Sequence, residues 1–227
     1  MIRWNVPGPY VIAFTTREGG VSTGPYAALN LGSRGDDPAR IAENRRLACA
    51  ELALDPGRLA LNRQRHTARA VRAGTNGGEV ADALWTDEPG RPLLALAADC
   101  VPIAVVTLGL RAALAVVHAG WRGLASGVVC AAVEALPDGP KAAMVGPAIG
   151  PCCYEVGPEV AERFEADLVS GRLLDLWTAS ERALRHAGVE HVERVDLCTR
   201  CHPDRFFSHR ASGGLHGAQG VIGAIAG

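Results

Sequence analysis

The sequence lacks an excess of charge of either sign. Lys and Arg number 23 and Asp and Glu number 24, so the formal net charge is -1 at pH 7. Proteins that bind nucleic acid through phosphate contacts normally carry a basic excess. Disordered chains lack the apolar residues that make up 48% of this one. The composition therefore predicts a globular protein without a nucleic-acid partner.

Features of export and membrane insertion are also missing. The first 20 residues have no basic start, no continuous apolar segment and no small-residue cleavage site, which favours a cytoplasmic location. The longest apolar stretch, Leu93 to Val117, is divided by Asp99 and Arg111. The resulting pieces are shorter than the roughly 20 residues that a bilayer-spanning helix needs. We expect this stretch to be buried core, with no membrane partner.

The number and spacing of cysteines and histidines argue against two further classes of protein, disulfide-stabilised proteins and multicopper oxidases. Seven cysteines without an export signal predict free thiols or metal ligands rather than a disulfide framework. Multicopper oxidases need several His-x-His elements, and none occurs among the seven histidines, so we do not expect true laccase chemistry. Cys198 to His202 matches the C-x-x-C-H haem attachment string, which we interpret as coincidence because haem attachment requires export.

The length of 227 residues, with no internal repeat or linker, predicts one domain over residues 1–227. Hydrophobic spacing and turn residues predict its elements. In chain order these are a strand at Tyr10–Thr15, an anchored irregular loop up to residue 37, a helix at Pro38–Leu54, a strand ending within Leu59–His66, a turn at Asn76-Gly77-Gly78, a helix at Leu124–Leu136, a short strand at Met144–Ile149, helices at Pro158–Val169 and Asp175–Ala187, and an apolar strand at the end.

The stretch Leu93 to Gly123 is the predicted centre of the fold. It contains two apolar, β-branched runs separated by residues 109–111, which predicts buried strands. Cys100 and His118 lie at or beside the ends of these runs. Because a buried sheet is rigid, side chains at its strand ends are held with the accuracy that catalysis or metal binding needs.

Three residues, His66, Cys100 and His118, each lie where a predicted strand meets a polar or glycine-containing turn. Two imidazoles and one thiolate suit zinc, and three protein ligands leave a fourth position for water or substrate. A catalytic zinc ion lowers the pKa of its water to about 7. Their spacing matches no compact zinc-finger pattern, so a structural histidine and an inert buried cysteine stay open as alternatives.

Several long strings resemble the YfiH-type family, also called laccase-domain, multicopper polyphenol oxidase-like or purine nucleoside phosphorylase-like. The strings are TTREGGVSTGPYAALNLG (15–32), Asn44-Arg45, Gln64-Arg65-His66, ADALWTDEPGRPLLALAADCVPIAVV (81–106), HAGWRGLASGVV (118–129), GPAIGPCCYEVG (146–157) and FFSHR (206–210). They cover most of the chain. Arg65, Thr67 and His209 depart from the common pattern, which bears on substrate preference.

The resemblance implies an α/β layered sandwich of mixed β-sheets flanked by helices, similar to toxin-like cysteine hydrolases. It implies one zinc ion bound by His66, Cys100 and His118, with copper as the less favoured metal. The implied activity is phosphorolysis of adenosine, inosine, guanosine and methylthioadenosine, together with adenosine deamination. The partners would be a purine nucleoside and phosphate, and we expect a monomer or homodimer.

Five further residues are candidates for the site. Arg17, Asn30 and Arg122 lie in the matching strings and are candidate substrate contacts, although Arg122 could equally be a surface charge. Asp99 is a candidate proton carrier in deamination, with hydrogen bonding to backbone amides as the alternative. Cys152 is a candidate for the pocket entrance, with simple burial as the alternative.

Two other functions stay open. Cys100 could be a thiolate nucleophile activated by His118 in an amide hydrolase that edits peptidoglycan precursors. The chain could also be a non-catalytic metal-binding or redox-sensing module with exposed thiols.

Overall fold

The computed structural model describes residues 1–74 and 78–227 and contains two large β-sheets flanked by helices. The strands are β1 Ile2–Trp4, β2 Tyr10–Phe14, β3 Ala60–Leu61, β4 Ala70–Arg72, β5 Ala83–Thr86, β6 Leu93–Ala97, β7 Val101–Thr107, β8 Leu114–Ala119, β9 Lys141–Val145, β10 Val169–Ser170, β11 Leu173–Leu174, β12 His191–Arg194 and β13 Gln219–Ile225. The α-helices are α1 Pro38–Glu51, α2 Trp121–Ala125, α3 Val128–Glu134, α4 Pro158–Ala161, α5 Leu176–His186 and α6 His209–Ser212.

The strands form a five-stranded sheet of order β1-β2-β13-β6-β3 and a six-stranded sheet of order β12-β9-β7-β8-β5-β4. A small ribbon of β10 and β11 stands apart from both. Most neighbours pair antiparallel, while β3 with β6, β4 with β5 and β9 with β12 are parallel. Both large sheets are therefore mixed, as the sequence predicts.

The two large sheets pack face to face and helices cover their outer faces. Phe14 of the first sheet and Leu114 of the second are fully buried in the shared core, and each contributes roughly 1.5–3 kcal/mol to stability by leaving water. Cys49 of α1 packs on the outer face of the five-stranded sheet, and Leu184 of α5 packs on that of the six-stranded sheet. These four layers confirm the predicted α/β layered sandwich.

The central stretch forms three strands rather than the predicted two. Its first apolar run is divided at Ala98-Asp99-Cys100, so that β6 lies in the five-stranded sheet and β7 in the six-stranded sheet. Asp99 at this crossing has a positive φ of 82°. Every residue of β7 and β8 is buried because both faces of their sheet are covered, which explains their continuous apolar character.

Two predicted helices differ from the structure. Leu124–Leu136 is divided into α2 and α3 at Gly127, whose φ of 91° interrupts the helix. Pro158–Val169 is helical only through Ala161, because Val169 must be extended to pair in the β10-β11 ribbon. The apolar spacing in this segment correctly indicates burial, since Val160 and Leu168 are both buried. It does not indicate one continuous helix, because the chain turns between them.

Other predictions hold within a few residues. Asp175 caps α5 by accepting a hydrogen bond from the amide of Thr178, and the loop after β2 is irregular apart from a short 3-10 turn. The strand predicted at Met144–Ile149 is β9, which ends at Val145, and Leu59–His66 contains only the two-residue β3. The turn predicted at Asn76 and Gly77 lies outside the described residues. No helix in the described ranges has the length and apolarity needed to cross a bilayer.

Candidate metal centre

The three predicted ligands meet at one end of the interface between the two sheets. His118 lies near the end of β8 and pairs with Pro102 of β7, while Cys100 directly precedes β7. His66 enters from the loop that follows β3. One ligand atom from each of the three residues lies within 4.8 Å of the other two. The fold therefore brings together residues that are far apart in the sequence.

The group is enclosed on one side and accessible on the other. His118 is buried, Cys100 is partly buried and His66 is exposed. Cys100 Sγ lies 3.7 Å from His66 Nε2, and the two imidazole rings meet edge to face with centroids 4.8 Å apart. Three donors around a space that solvent can approach are the arrangement that catalytic zinc sites use.

A buried carboxylate, Asp82, orients the ring of His118 and holds the backbone of the loop that carries His66. Its Oδ1 lies 2.8 Å from Nδ1 of His118, which leaves Nε2 of His118 for a ligand. The same carboxylate accepts hydrogen bonds from the backbone amides of Arg65, His66 and Thr67 at 3.1, 2.9 and 2.6 Å. Carboxylates that bond the second nitrogen of a ligating histidine fix its tautomer and orientation.

Sequence reasoning missed Asp82. It stands at the start of the string ADALWTDEPG, directly before β5, and its backbone carbonyl accepts the amide of His118 at 2.7 Å. The resemblance string contained this residue, but nothing in the spacing connected it to His118, 36 positions later.

Backbone geometry and close packing also hold the ligands. His66 has a φ of 59°, and Asp99 next to Cys100 also has a positive φ. Such conformations cost of order 1–3 kcal/mol each and are concentrated at functional sites. A Cβ on Gly120 would lie 2.4 Å from His66 Cδ2 and 3.0 Å from Cys100 Sγ, so only glycine leaves room for both ligands.

The electrostatics of the centre favour a thiolate. Burial alone would raise the pKa of the Cys100 thiol, but His118 and His66 lower it below its ordinary value. Burial would lower the pKa of His118, whereas Cys100 and Asp82 raise it. Hydrogen bonds from His118 and the loop amides outweigh burial and hold the pKa of Asp82 well below its usual range. A thiolate is the form of cysteine that binds metals and attacks electrophiles.

Two predicted substrate residues have structural partners elsewhere. Arg17 donates hydrogen bonds to the carbonyls of Ala27 and Pro203, both at 2.7 Å. Asn30 is fully buried and accepts the amides of Gly32 and Ala218 at 2.9 and 2.8 Å. Both side chains hold the loop after β2 in place, and neither belongs to the group of ligand atoms.

The Asp99 carboxylate points to neighbouring turns. Its Oδ1 accepts the hydroxyl of Thr199 at 2.6 Å, and its Oδ2 accepts the backbone amide of Arg210 at 2.7 Å. This matches the hydrogen-bonding role that the sequence analysis set beside proton transfer.

Arg122 and Cys152 lie on the surface. The Arg122 guanidinium stacks on the ring of Trp121 with its carbon 4.2 Å from the centroid. The alternative that Cys152 is buried is wrong, because the residue is exposed. Cys152 lies beside Cys153, Cys198 and Cys201, apart from the His66 group.

Tyr154 and Arg210 are further residues near the centre that the analysis did not select. Burial and the neighbouring Cys100 raise the pKa of Tyr154 to about 12, so the phenol stays protonated. Arg210 and Arg122 act on Tyr154 electrostatically from the same region, and the Arg210 guanidinium lies 5.4 Å from the Tyr154 ring. Both residues occur in the matching strings GPCCYEVG and FFSHR, where their position was the available signal.

Comparison with known proteins finds one family along nearly the whole chain. The family model for multi-copper polyphenol oxidoreductase laccase matches residues 11–226. The chain is 36% identical to a Pseudomonas aeruginosa protein named purine nucleoside phosphorylase, over 92% of this chain and 91% of that one. It is 35% identical to purine nucleoside phosphorylase YfiH of Escherichia coli K12, with the same coverage.

Solved structures agree with the fold. A Neisseria meningitidis protein of family model DUF152 superposes with a TM-score of 0.90 at 31% identity, covering 100% of this chain and 99% of that one. YlmD from Geobacillus stearothermophilus superposes with a TM-score of 0.87 at 32% identity, covering 96% and 93%.

Proposed function

This chain belongs to the multi-copper polyphenol oxidoreductase laccase family, and from that membership we propose that it is a zinc-dependent purine nucleoside phosphorylase. The similar proteins named above carry that enzyme name. The observation that carries the proposal is the meeting of His66, Cys100 and His118 around one point, with Asp82 bonded to the His118 ring and to the backbone of the His66 loop.

The donor set fits zinc. Two imidazoles and one thiolate, with no fourth protein ligand in the group among residues 1–74 and 78–227, suit a borderline-soft cation and leave one coordination position open. Gly120 keeps that region free of a side chain. A bound zinc ion would supply Lewis-acid polarisation of a substrate atom. The absence of His-x-His pairs argues against a multicopper cluster, and at this single site we propose zinc.

The residues around the centre suit phosphorolysis of a purine nucleoside. In this reaction a phosphate oxygen bonds to C1′ of the ribose as the bond from C1′ to the purine breaks, and the purine gains a proton. Arg122 and Arg210 form no ion pair with a carboxylate in the part of the chain that the structure describes. Arg210 donates one N–H to the carbonyl of Glu155 at 3.0 Å, and the charge of both guanidinium groups stays unneutralised by a carboxylate. We propose that both bind phosphate and that the protonated phenol of Tyr154 donates to the substrate.

Adenosine deamination would be a second activity of the same centre. A zinc deaminase needs a carboxylate that carries protons. Asp82 and Asp99 both accept hydrogen bonds from groups of the protein. We therefore propose that deamination is slower than phosphorolysis, since neither carboxylate is free of partners.

One observation supports a second candidate function. In the absence of a metal ion, Cys100, His118 and Asp82 form a thiol, imidazole and carboxylate series in which the pKa of Cys100 is lowered and that of His118 is raised. This series would activate Cys100 as the nucleophile of an amide hydrolase. Such an enzyme would pass through a thioester on Cys100.

A nucleoside panel assayed with and without phosphate tests the first proposal. Purified protein should release free purine and ribose 1-phosphate from inosine, guanosine, adenosine and methylthioadenosine only when phosphate is present. Removing the metal with a chelator should abolish the activity, and added zinc should restore it. Formation of inosine from adenosine without phosphate would measure deamination.

The same chelated and zinc-loaded protein, assayed with amide substrates as well, separates the alternatives. Full amide hydrolysis after complete chelation, with a covalent adduct on Cys100, would establish the thiol hydrolase. Stoichiometric metal without turnover of any nucleoside or amide would indicate a non-catalytic binding module.

A further inference from the structure

A second group of potential ligands lies outside the candidate metal centre. Cys152 and Cys153 belong to the turn after β9, and Cys198 and Cys201 belong to the turn after β12. These four cysteines, here called the thiol cluster, place their sulfur atoms within 4.8 Å of one another. Parallel pairing of β9 with β12 brings the two turns to the same edge of the six-stranded sheet.

The sulfur positions suit one tetrahedral cation. Cys201 Sγ lies 3.6 Å from Cys152 Sγ and 3.4 Å from Cys153 Sγ, and all four cysteines are free thiols. Zinc binds thiolates at roughly 2.3 Å, so the sulfurs of a tetrahedral site are separated by roughly 3.8 Å. Sulfurs joined in a disulfide would be separated by only about 2.05 Å.

The backbone beside the cluster supports a charged sulfur at one position. The amide of Gly150 donates to Cys198 Sγ at 3.3 Å. A backbone donor of this kind stabilises a thiolate, and thiolate is the form of cysteine that binds zinc.

A guanidinium beside the cluster favours a bound dication with excess thiolate. Arg200 lies between Cys198 and Cys201 in the sequence, and its guanidinium donates to the carbonyl of Cys153 at 3.4 Å. A zinc ion with four thiolates carries a net charge of -2, which a nearby guanidinium offsets. No carboxylate belongs to the group of ligand atoms in the described part of the chain.

We propose that Cys152, Cys153, Cys198 and Cys201 bind a second zinc ion in a closed, structural site. Four thiolates select zinc over magnesium or calcium and leave no position for substrate. Binding releases the protons of those thiols that are still protonated. The proposal is independent of the enzymatic activity proposed above.

The site would tie two turns together behind the candidate metal centre. Thr199, within the second turn, donates its amide to Ala148 and its hydroxyl to Asp99, which precedes Cys100. A zinc ion that fixes this turn therefore supports the crossing from β6 to β7. This assigns the C-x-x-C pair of the haem-like string a role together with Cys152 and Cys153.

Zinc analysis and X-ray absorption on the intact, zinc-loaded protein test the proposal without a variant. The first counts the ions and the second identifies their ligands. With both sites filled, the protein should hold about two zinc ions per chain, with sulfur outnumbering nitrogen among their ligands. With only the His66 site filled, it should hold about one, with nitrogen in excess. The second result would overturn the proposal.

Variants then locate the ion. Cys152→Ser combined with Cys201→Ser should lower the zinc content by about one ion per chain and remove most of the thiolate-to-metal charge-transfer absorption of the cobalt-substituted protein. Cys130→Ser, a partly buried cysteine in α3, is the matched control and should change neither. An unchanged zinc content, or a disulfide between Cys153 and Cys201 in protein purified without oxygen, would refute the site.

Discussion

The candidate metal centre and the thiol cluster both gather cysteines at strand ends, yet their surroundings differ. The first combines one thiol with two imidazoles, and the buried carboxylate of Asp82 bonds the His118 ring and the backbone of the His66 loop. The second has four thiols held by short turns and backbone amides. Three ligands with an oriented environment suit chemistry at an open position, whereas four thiolates suit a closed structural site. The ligand count and the neighbouring groups therefore separate two sites that composition alone would confuse.

Replacing the single thiol of the first site should have the largest effect. Cys100→Ala removes one of three ligands and the thiolate charge, so we expect phosphorolysis to fall by at least about 1,000-fold. The measurement is kcat/KM for inosine with saturating phosphate. Cys130→Ala is the matched control and should keep near-normal activity. Near-normal turnover by Cys100→Ala would remove the functional distinction between the two sites.

A methyl group added at Gly120, inside the candidate metal centre, should have the second-largest effect on activity. Gly120→Ala would place a Cβ against His66 and Cys100. We expect phosphorolysis to fall by about 100-fold because the two displaced side chains no longer hold the positions that the reaction needs. The comparison is Gly109→Ala, where an added Cβ meets no atom within 4 Å. Retained activity in Gly120→Ala would show that His66 and Cys100 need not approach as closely as they do here.

Replacing the carboxylate of Asp82 should lower zinc affinity moderately, and only at the His66 site. Asp82→Asn weakens the orientation of the His118 ring and the anchoring of the His66 loop, and changes to such partners typically cost 10–100-fold in metal affinity. Competition with a chromophoric chelator would measure zinc affinity at the His66 site, and we expect the thiol cluster to keep its affinity. Asp138→Asn, an exposed carboxylate, is the control. Equal weakening at both sites would indicate general destabilisation.

The proposed phosphate contacts should have the smallest effect. Arg122→Gln and Arg210→Gln should each raise the KM for phosphate by about 10-fold, because each removes one charge-assisted contact. The KM for inosine and the zinc content should stay near normal. A fall in kcat with an unchanged KM for phosphate would assign these residues a different role.

The fold was largely predictable because its signals are local. The continuous apolar runs of β7 and β8, the Asp175 cap of α5 and the apolar end strand β13 all follow from neighbouring residues. Predictions failed at two local features and at one distant one. Locally, Val169 pairs with Leu174 in a short hairpin, and Gly127 interrupts the predicted helix with its positive φ. The crossing at Asp99 exists because β6 and β7 belong to different sheets, which pairing with distant strands decides.

The candidate site shows the same division. His66, Cys100 and His118 were predicted as metal ligands, and the structure brings them together, while their role in catalysis stays a prediction. Asp82 and the thiol cluster were missed because their contacts join turns far apart in the sequence. The single domain, the cytoplasmic location and the oligomeric state also stay predictions.

The sequence by itself identified the family through its long strings and, through that resemblance, the layered α/β class and three candidate metal ligands, because such strings are runs of neighbouring positions. Only the tertiary structure decided which cysteines lie together and which carboxylate bonds the His118 ring and the His66 loop. The physical reason is that a hydrogen bond or a metal site depends on distances of a few ångströms, and the packing of two sheets sets these distances between residues that sequence order keeps far apart.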